Sequence, residues 1–265
     1  MLCYPAEDAA TISGPPLRFL APAEADAPAL LFLHGAGCGA WVWDEGFGAR
    51  CAAHGLDGTA PLLTRHRGAT GLSVLDYVAE ARALLAGLKR DVVLVGHSLG
   101  ALVAQHLLLE PAVRGAVLLT PVPPEGLWLS SAQLAWTDPV LWAEAARMDA
   151  ATGSAPAALA PTLFGPSMPA AAAQQFLARM GGESQAALLE AQFPQPVPMG
   201  WLHGRKLLVL GAAEDRLISP DAARRCALWH GAELEILPDR GHLLMLEPGW
   251  EAVADRVIAW VRKLG

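Results

Sequence analysis

At 265 residues the chain is long enough for one α/β domain with a sizeable core, and two separate domains would each be small. A hydrophobic fraction of 53% against 17% charged residues predicts a large core together with an apolar pocket or covered face. The net charge of -7, with no Lys/Arg cluster longer than two residues, argues against phosphate-backbone binding and so against nucleic acid as a partner.

The chain opens on MLCYPAEDAA, which lacks the basic start and apolar centre of a signal peptide, so a cytoplasmic protein is expected. No apolar run approaches the roughly 20 residues of a membrane helix, because charges, Gly or Pro interrupt each one, and no membrane span is expected. From Ala29 onward short apolar runs alternate with longer amphipathic segments, the pattern of a mostly parallel central sheet flanked by helices. The first run, Ala29–Leu33, leads into His34-Gly35-Ala36-Gly37-Cys38-Gly39, and Ala60–Leu63 is a weaker strand candidate. Ser73–Leu88 carries Val74, Tyr77, Val78, Ala81, Leu84, Leu85 and Leu88 at helical spacing, so one face of that helix packs on the sheet. Val92–Val95 is the next strand, and a helix starts at or just after Ser98 and runs until Pro111 stops it. After the strand Ala116–Leu119 the rhythm breaks. Residues 121–201 are rich in Ala and Pro, hold Trp128, Trp136, Trp142 and Trp201, and offer no convincing strand. They predict a helical cap inserted over the carboxyl edge of the sheet. The strands Leu207–Leu210 and Leu234–Leu237 and a closing helix Trp250–Leu264 resume the alternation, so the core is expected to consist of residues 1–120 and 202–265.

Gly96-His97-Ser98-Leu99-Gly100 has the form G-x-S-x-G between a strand and a helix. A serine on so sharp a turn needs glycine two positions away on either side, where a side chain would collide. Ser98 is therefore the candidate nucleophile, and His97, whose ring should point away from the hydroxyl, is given a packing role. A nucleophile of this kind requires backbone N–H groups that converge on the developing oxyanion. Ala36, in the glycine-rich loop, and Leu99, following the nucleophile, are the candidate oxyanion-hole donors. The loop spacing fits neither G-x-G-x-x-G nor G-x-x-x-x-G-K-[ST], so no cofactor is expected there. His34 is read as a brace for the loop, and Cys38 has no adjacent His or cation that would lower its pKa. Cys3, Cys38, Cys51 and Cys226 form no CxxC pair and no zinc spacing, so free thiols and no metal are expected.

Beyond Leu207–Leu210 comes Gly211-Ala212-Ala213-Glu214-Asp215-Arg216, and beyond Leu234–Leu237 comes Pro238-Asp239-Arg240-Gly241-His242. A carboxylate and a histidine at the ends of successive strands can meet beside a serine from an earlier one. His242 is the candidate general base and Asp215 the carboxylate that orients it. Glu214 is expected to face the other way and Asp239 to serve a turn, while Glu125, just past the strand Ala116–Leu119, is the rival acid.

With these segments in place the chain resembles the α/β-hydrolase superfamily, in particular its small bacterial esterase-like and lysophospholipase-like serine hydrolases. HGAGCGAWVW, GHSLG, GAAEDRLIS and GHLLMLEP follow that family's pattern in its order, from about Ala29 to the carboxyl end. The first of them also looks like the corresponding loop of plant methyl esterases and hydroxynitrile lyases. The resemblance implies the α/β-hydrolase fold and a Ser98, Asp215, His242 triad. One departure is Thr64-Arg65-His66-Arg67-Gly68, where many relatives carry an Arg-Gly-His-Gly turn.

The expected activity is cleavage of a carboxylic ester of a small, mainly apolar acyl substrate through an acyl-enzyme. Carbon–carbon bond hydrolysis or a cyanohydrin-type lyase reaction on the same residues is the alternative. A small-molecule receptor that retains the triad is an alternative of another class. Between Pro121 and Gly200 only Arg147 and Arg179 are basic, against Glu125, Asp138, Glu144, Asp149, Glu183 and Glu190. No clamp for a carboxylate or phosphate is evident, and Trp128, Trp136 and Trp142, with Leu141 among others, are expected to supply an apolar pocket wall.

Overall fold

A computed structural model of the protein describes residues 15–21, 27–63, 71–140, 142–143 and 159–264. The turn Thr64–Gly68, the opening MLCYPAEDAA, and Leu141, Glu144, Arg147 and Asp149 lie outside the described residues. The apolar runs become strands with both faces covered: β2 (Ala29–Leu33), β4 (Val92–His97), β5 (Val113–Leu119) and β6 (Lys206–Ala212). Every residue of β2 and β4 is buried. Successive side chains enter opposite layers, Leu30, Phe32, Val93 and Val95 on one side of the sheet and Leu31, Leu33, Val92 and Leu94 on the other. This explains why the sequence shows continuous apolar runs and no polar alternation.

Three further strands complete a seven-stranded sheet: β1 (Leu17–Phe19), β3 (Gly58–Ala60) and β7 (Glu233–Leu237), in the order β1-β3-β2-β4-β5-β6-β7. All pairings are parallel except β1 with β3. The predicted strand Ala60–Leu63 is displaced: β3 ends at Ala60, where Pro61 has no N–H to give to a ladder. The run Leu234–Leu237 is an edge strand with Leu234 40% exposed, less buried than its composition suggests.

Helices cover both faces. On one side lie α1 (Trp41–Asp44), α2 (Phe47–Ala53) and the last helix, α10 (Trp250–Val261), around a core of Phe32, Trp43, Phe47 and Trp260. On the other lie α3 (Val74–Leu88), α4 (Leu99–His106) and α9 (Pro220–His230), around Tyr77, Leu94, Leu102 and Ala223. Ser73 starts α3 in a capping box with Asp76. The helix after Ser98 stops at His106, short of Pro111, and the chain turns, with Leu107 N–H donating to Ala104 O and Glu110 N–H to Leu107 O, before the proline is reached.

The described part of 121–201 contains α5 (Trp128–Thr137), α6 (Ala160–Leu163), α7 (Ala170–Arg179) and α8 (Gln185–Glu190), with no strand among the described residues. Ala173 and Leu177 of α7 bury into the first core, and Phe176 stacks on Trp41 at 6.1 Å. The segment also meets the body through backbone contacts, Leu243 N–H donating to Leu163 O at 3.2 Å and Gly181 N–H to Gly37 O at 2.9 Å.

Candidate active site

Ser98 sits between β4 and α4 with φ 52° and ψ -116°, a conformation that costs a non-glycine residue of order 1–3 kcal/mol and persists only where its surroundings impose it. Those surroundings are tight. A Cβ on Gly96 would lie 2.6 Å from Gly100 O and Ala101 Cα, and one on Gly100 would meet the backbone carbonyls of Leu33 and His34. Ser98 N–H donates to Leu119 O at 3.1 Å, and Ser98 O accepts from Ala101, Leu102 and Val122 N–H. The peptide groups on both sides of the serine are thereby pinned to β5 and to the first turn of α4.

Asp215 follows β6 and His242 follows β7, and both are buried. Their side chains meet, His242 Nδ1 lying 2.8 Å from Asp215 Oδ2. Asp215 Oδ1 accepts from Leu217 N–H at 2.9 Å and Ile218 N–H at 2.8 Å, so both oxygens are engaged and the carboxylate cannot swing. An ionised carboxylate only accepts, so Nδ1 carries the proton and Nε2 keeps its lone pair. The two loops are tied by Glu214 N–H, which donates to Arg240 O at 2.8 Å.

The backbone of the histidine is held as firmly. His242 O lies 3.0 Å from His97 Nε2 and accepts from Thr120 Oγ1 at 2.9 Å. The two imidazole rings are 4.7 Å apart, and burial followed by the proximity of His242 drives the His97 pKa well below its ordinary value, so His97 stays neutral. Glu247, fully buried, accepts through Oε1 from Gly241 N–H at 2.8 Å and Gly165 N–H at 2.9 Å, fastening the residue before His242 to the segment after α6. Glu125 is engaged elsewhere, its carboxylate 2.5 Å from Arg225 Nε. Glu214 and Asp239 are exposed, and Asp239 takes a left-handed turn conformation, φ 54°.

The loop after β2 folds back on itself. Cys38 N–H donates to Gly35 O at 3.2 Å, and Gly37 has φ 67°. Leu63 N–H reaches His34 Nε2 at 3.2 Å, which leaves Nδ1 to donate to Gly35 O at 3.0 Å, the bracing role read for His34.

Ser98, His242, Ala36 and Leu99 line one cavity of about 210 Å³. Its remaining wall comes largely from 121–201: Leu127, Ser131, Leu134, Trp142, Leu163 and Met180 among others. Of the three tryptophans expected there, the structure brings Trp142 to the cavity and leaves Trp128 and Trp136 outside it, 50% and 89% exposed. Leu127, Ser131 and Leu134 recur at helical spacing and take the inner face of α5, which turns both tryptophans outward. Sequence reasoning counted Glu183 only as a charge, yet it lines the cavity with Gly181 and contacts the loop at Gly37. Among the described residues no group of His, Cys, Asp and Glu is arranged to hold a metal ion, and no helix is long and apolar enough to cross a membrane.

Residues 30–256 match a family model described as the alpha/beta hydrolase family. Solved structures similar to this chain include an esterase from Exiguobacterium antarcticum, 16% identical, covering 93% of this chain and 94% of that one with a TM-score of 0.72. An esterase from Rhodococcus sp. ECU1013 is 20% identical over 94% of each chain, TM-score 0.66. A putative non-heme bromoperoxidase from Mycobacterium tuberculosis H37Rv is 19% identical over 96% of this chain and 98% of its own, TM-score 0.68. At such identities the likeness is one of fold. No curated protein matches the chain in sequence.

Proposed function

The chain belongs to the alpha/beta hydrolase family, and from that membership and the site geometry we propose that it is a serine hydrolase cleaving carboxylic esters of small, mainly apolar substrates. One observation carries the reading: a histidine whose tautomer is set by a fixed carboxylate shares a cavity with a serine held at a strained strand-to-helix turn.

In the first half-reaction Ser98 Oγ attacks the ester carbonyl carbon while His242 Nε2 takes the hydroxyl proton. The carbonyl π electrons move to oxygen, and the oxyanion is met by the Ala36 and Leu99 N–H groups. Among the described residues neither amide has another hydrogen-bond partner, and Leu99 opens α4 at its positive end. Loss of one such donor typically costs about 3 kcal/mol. Collapse breaks the bond to the leaving alkoxide, which receives the proton from His242 Nε2 and departs as alcohol, leaving Ser98 acylated. Water repeats the sequence, giving its proton to His242, and releases the acid with the proton returned to Ser98 Oγ. Asp215 stays ionised throughout and stabilises the transient imidazolium.

The substrate class rests on the cavity. Its volume suits a small acyl or alkyl group, its wall is mainly apolar, with leucines, Trp142 and Met180 beside Ser131, Glu183 and Gln192, and among the described residues no Lys or Arg lines it. A fluorophosphonate probe and a panel of p-nitrophenyl esters of increasing chain length test the proposal together. Labelling and turnover should both be present in the native protein and both vanish in Ser98→Ala. Near-normal turnover by purified Ser98→Ala sinks it.

A further inference from the structure

Glu183 lies between α7 and α8, 146 residues from Gly37, and grips the turn that carries the candidate oxyanion donor. In the turn Gly35-Ala36-Gly37-Cys38 the closing hydrogen bond runs from Cys38 N–H to Gly35 O, and the positive φ falls on Gly37 and not on Ala36. That is the pattern of a type II turn. Types I and II differ by a flip of the middle peptide, here the bond between Ala36 and Gly37. Glu183 Oε2 accepts the N–H of that peptide at 3.2 Å, and Gly181 N–H donates to the next carbonyl, Gly37 O, at 2.9 Å. Both polar groups of Gly37 are thus held from outside the loop.

The grip is itself anchored. Glu183 Oε1 accepts from Tyr77 OH at 2.5 Å and from Ser184 N–H at 2.9 Å. Tyr77 is buried on α3, so the carboxylate joins the loop after β2, a core helix and the start of α8. A carboxylate beside a site where negative charge develops opposes that charge. Its presence there makes sense as geometry, with its own charge spread over three neutral donors.

We propose that Glu183 is a positioning residue for the oxyanion hole: with Gly181 it pins both polar groups of Gly37 and so anchors the turn whose first peptide, Gly35–Ala36, carries the Ala36 N–H, and it makes the hole depend on the seating of residues 181–184. This rests on the serine-hydrolase reading above, because it assigns a consequence for the acyl-transfer step.

Three variants test it, assayed with a short-chain p-nitrophenyl ester and with an alkyl trifluoromethyl ketone that forms a tetrahedral oxyanion adduct. Loss of a whole donor costs roughly 100- to 1,000-fold in kcat, so a donor freed to wander should cost on the order of 10- to 100-fold. Glu183→Met, close in volume and without the acceptor, should show that fall in kcat with KM changed less than about threefold, and its affinity for the ketone should drop by a similar factor. Glu183→Gln keeps an oxygen for Gly37 N–H but turns its NH2 toward Ser184 N–H, so it should recover only part of the loss. Tyr77→Phe should lie between native and Glu183→Met. If Glu183→Met melts far below the native protein, the Tyr77→Phe and Glu183→Gln ranking decides. The inference is overturned if Glu183→Met has native or higher kcat, or if KM rises while kcat and ketone affinity hold. It fails alone if Ser98→Ala is inactive while Glu183→Met turns over normally; it fails with the serine-hydrolase reading if Ser98→Ala retains activity.

Discussion

Replacing Asp215 by Asn changes one atom at the most constrained point of the candidate site. The introduced amide could adopt either of two orientations, and both are unfavourable. With its oxygen toward Leu217 and Ile218 N–H, as those two donors demand, its NH2 group faces His242 Nδ1. The imidazole must then accept at Nδ1 and carry its proton on Nε2, where it cannot take the Ser98 proton. With the amide turned over, the histidine keeps its tautomer while two buried backbone N–H groups face another donor. Leaving each unsatisfied costs about 1–3 kcal/mol. The turned form therefore lies roughly 2–6 kcal/mol above the other, and at roughly 1.4 kcal/mol per factor of ten the rate should fall between about 30-fold and 20,000-fold. The fold should persist, since volume is conserved and the two donors stay satisfied. Steady-state kcat with a p-nitrophenyl ester, alongside a thermal melt, measures this. Glu125→Gln in parallel should lose little, because Glu125 pairs with Arg225. An Asp215→Asn protein within tenfold of native, or a greater loss from Glu125→Gln, refutes the assignment of the acid.

Ser98→Ala and His242→Ala should each lower kcat by orders of magnitude, and the double variant should be little worse than either, since the pair acts as a unit; rates that multiply instead would separate the two residues. His230, buried against Gln105 Oε1 at 3.0 Å and Gly200 N–H, has its pKa lowered by burial to about 4. The unfolded chain, with a His pKa near 6.5, binds more protons between those values, so stability is complete above about pH 6.5 and falls by ~3 kcal/mol as pH drops to about 4. Urea titrations at pH 7 and pH 4.5 should show the drop and His230→Gln a shallower one; an equal slope in that variant rejects His230 as its source. A butyrate ester should be cleaved with higher kcat/KM than the hemisuccinate of the same alcohol, given a cavity lined by Glu183 and, among the described residues, by no cation; the reverse order would reveal an anion site.

The elbow was legible because its signature is local, two glycines within five residues, although only Gly96 is required by the turn's own backbone and Gly100 makes room for the carbonyls of Leu33 and His34 at the end of β2. Asp215 and His242 were legible because a parallel sheet brings successive strand ends to one edge, so chain order stands in for proximity. Where an answer depends on which way a helix faces, the sequence is silent. Leu127, Ser131 and Leu134 against Trp128 and Trp136 is such a case: α5 is apolar on more than one side, and only its seat on the body selects the lining face. Glu183 escaped for a similar reason, since nothing near Gly181-Gly182-Glu183-Ser184 hints at a partner 146 residues earlier. The edge strand β7 reads as buried because an apolar run does not say whether a neighbour follows.

The crossing at Leu163–Gly165 and Gly241–Leu243, fastened by Glu247, also bears on how this protein can be recombined with its relatives. A chimera that exchanges residues 128–158 leaves the crossing whole, and the loop that carries His242 keeps its support. One that exchanges all of 121–201 brings in a foreign segment at 163–165 and must match it to a loop it did not evolve with. The working joint for engineering specificity thus falls inside the segment, near Leu159, and grafts cut there should retain turnover that grafts cut at its outer ends lose.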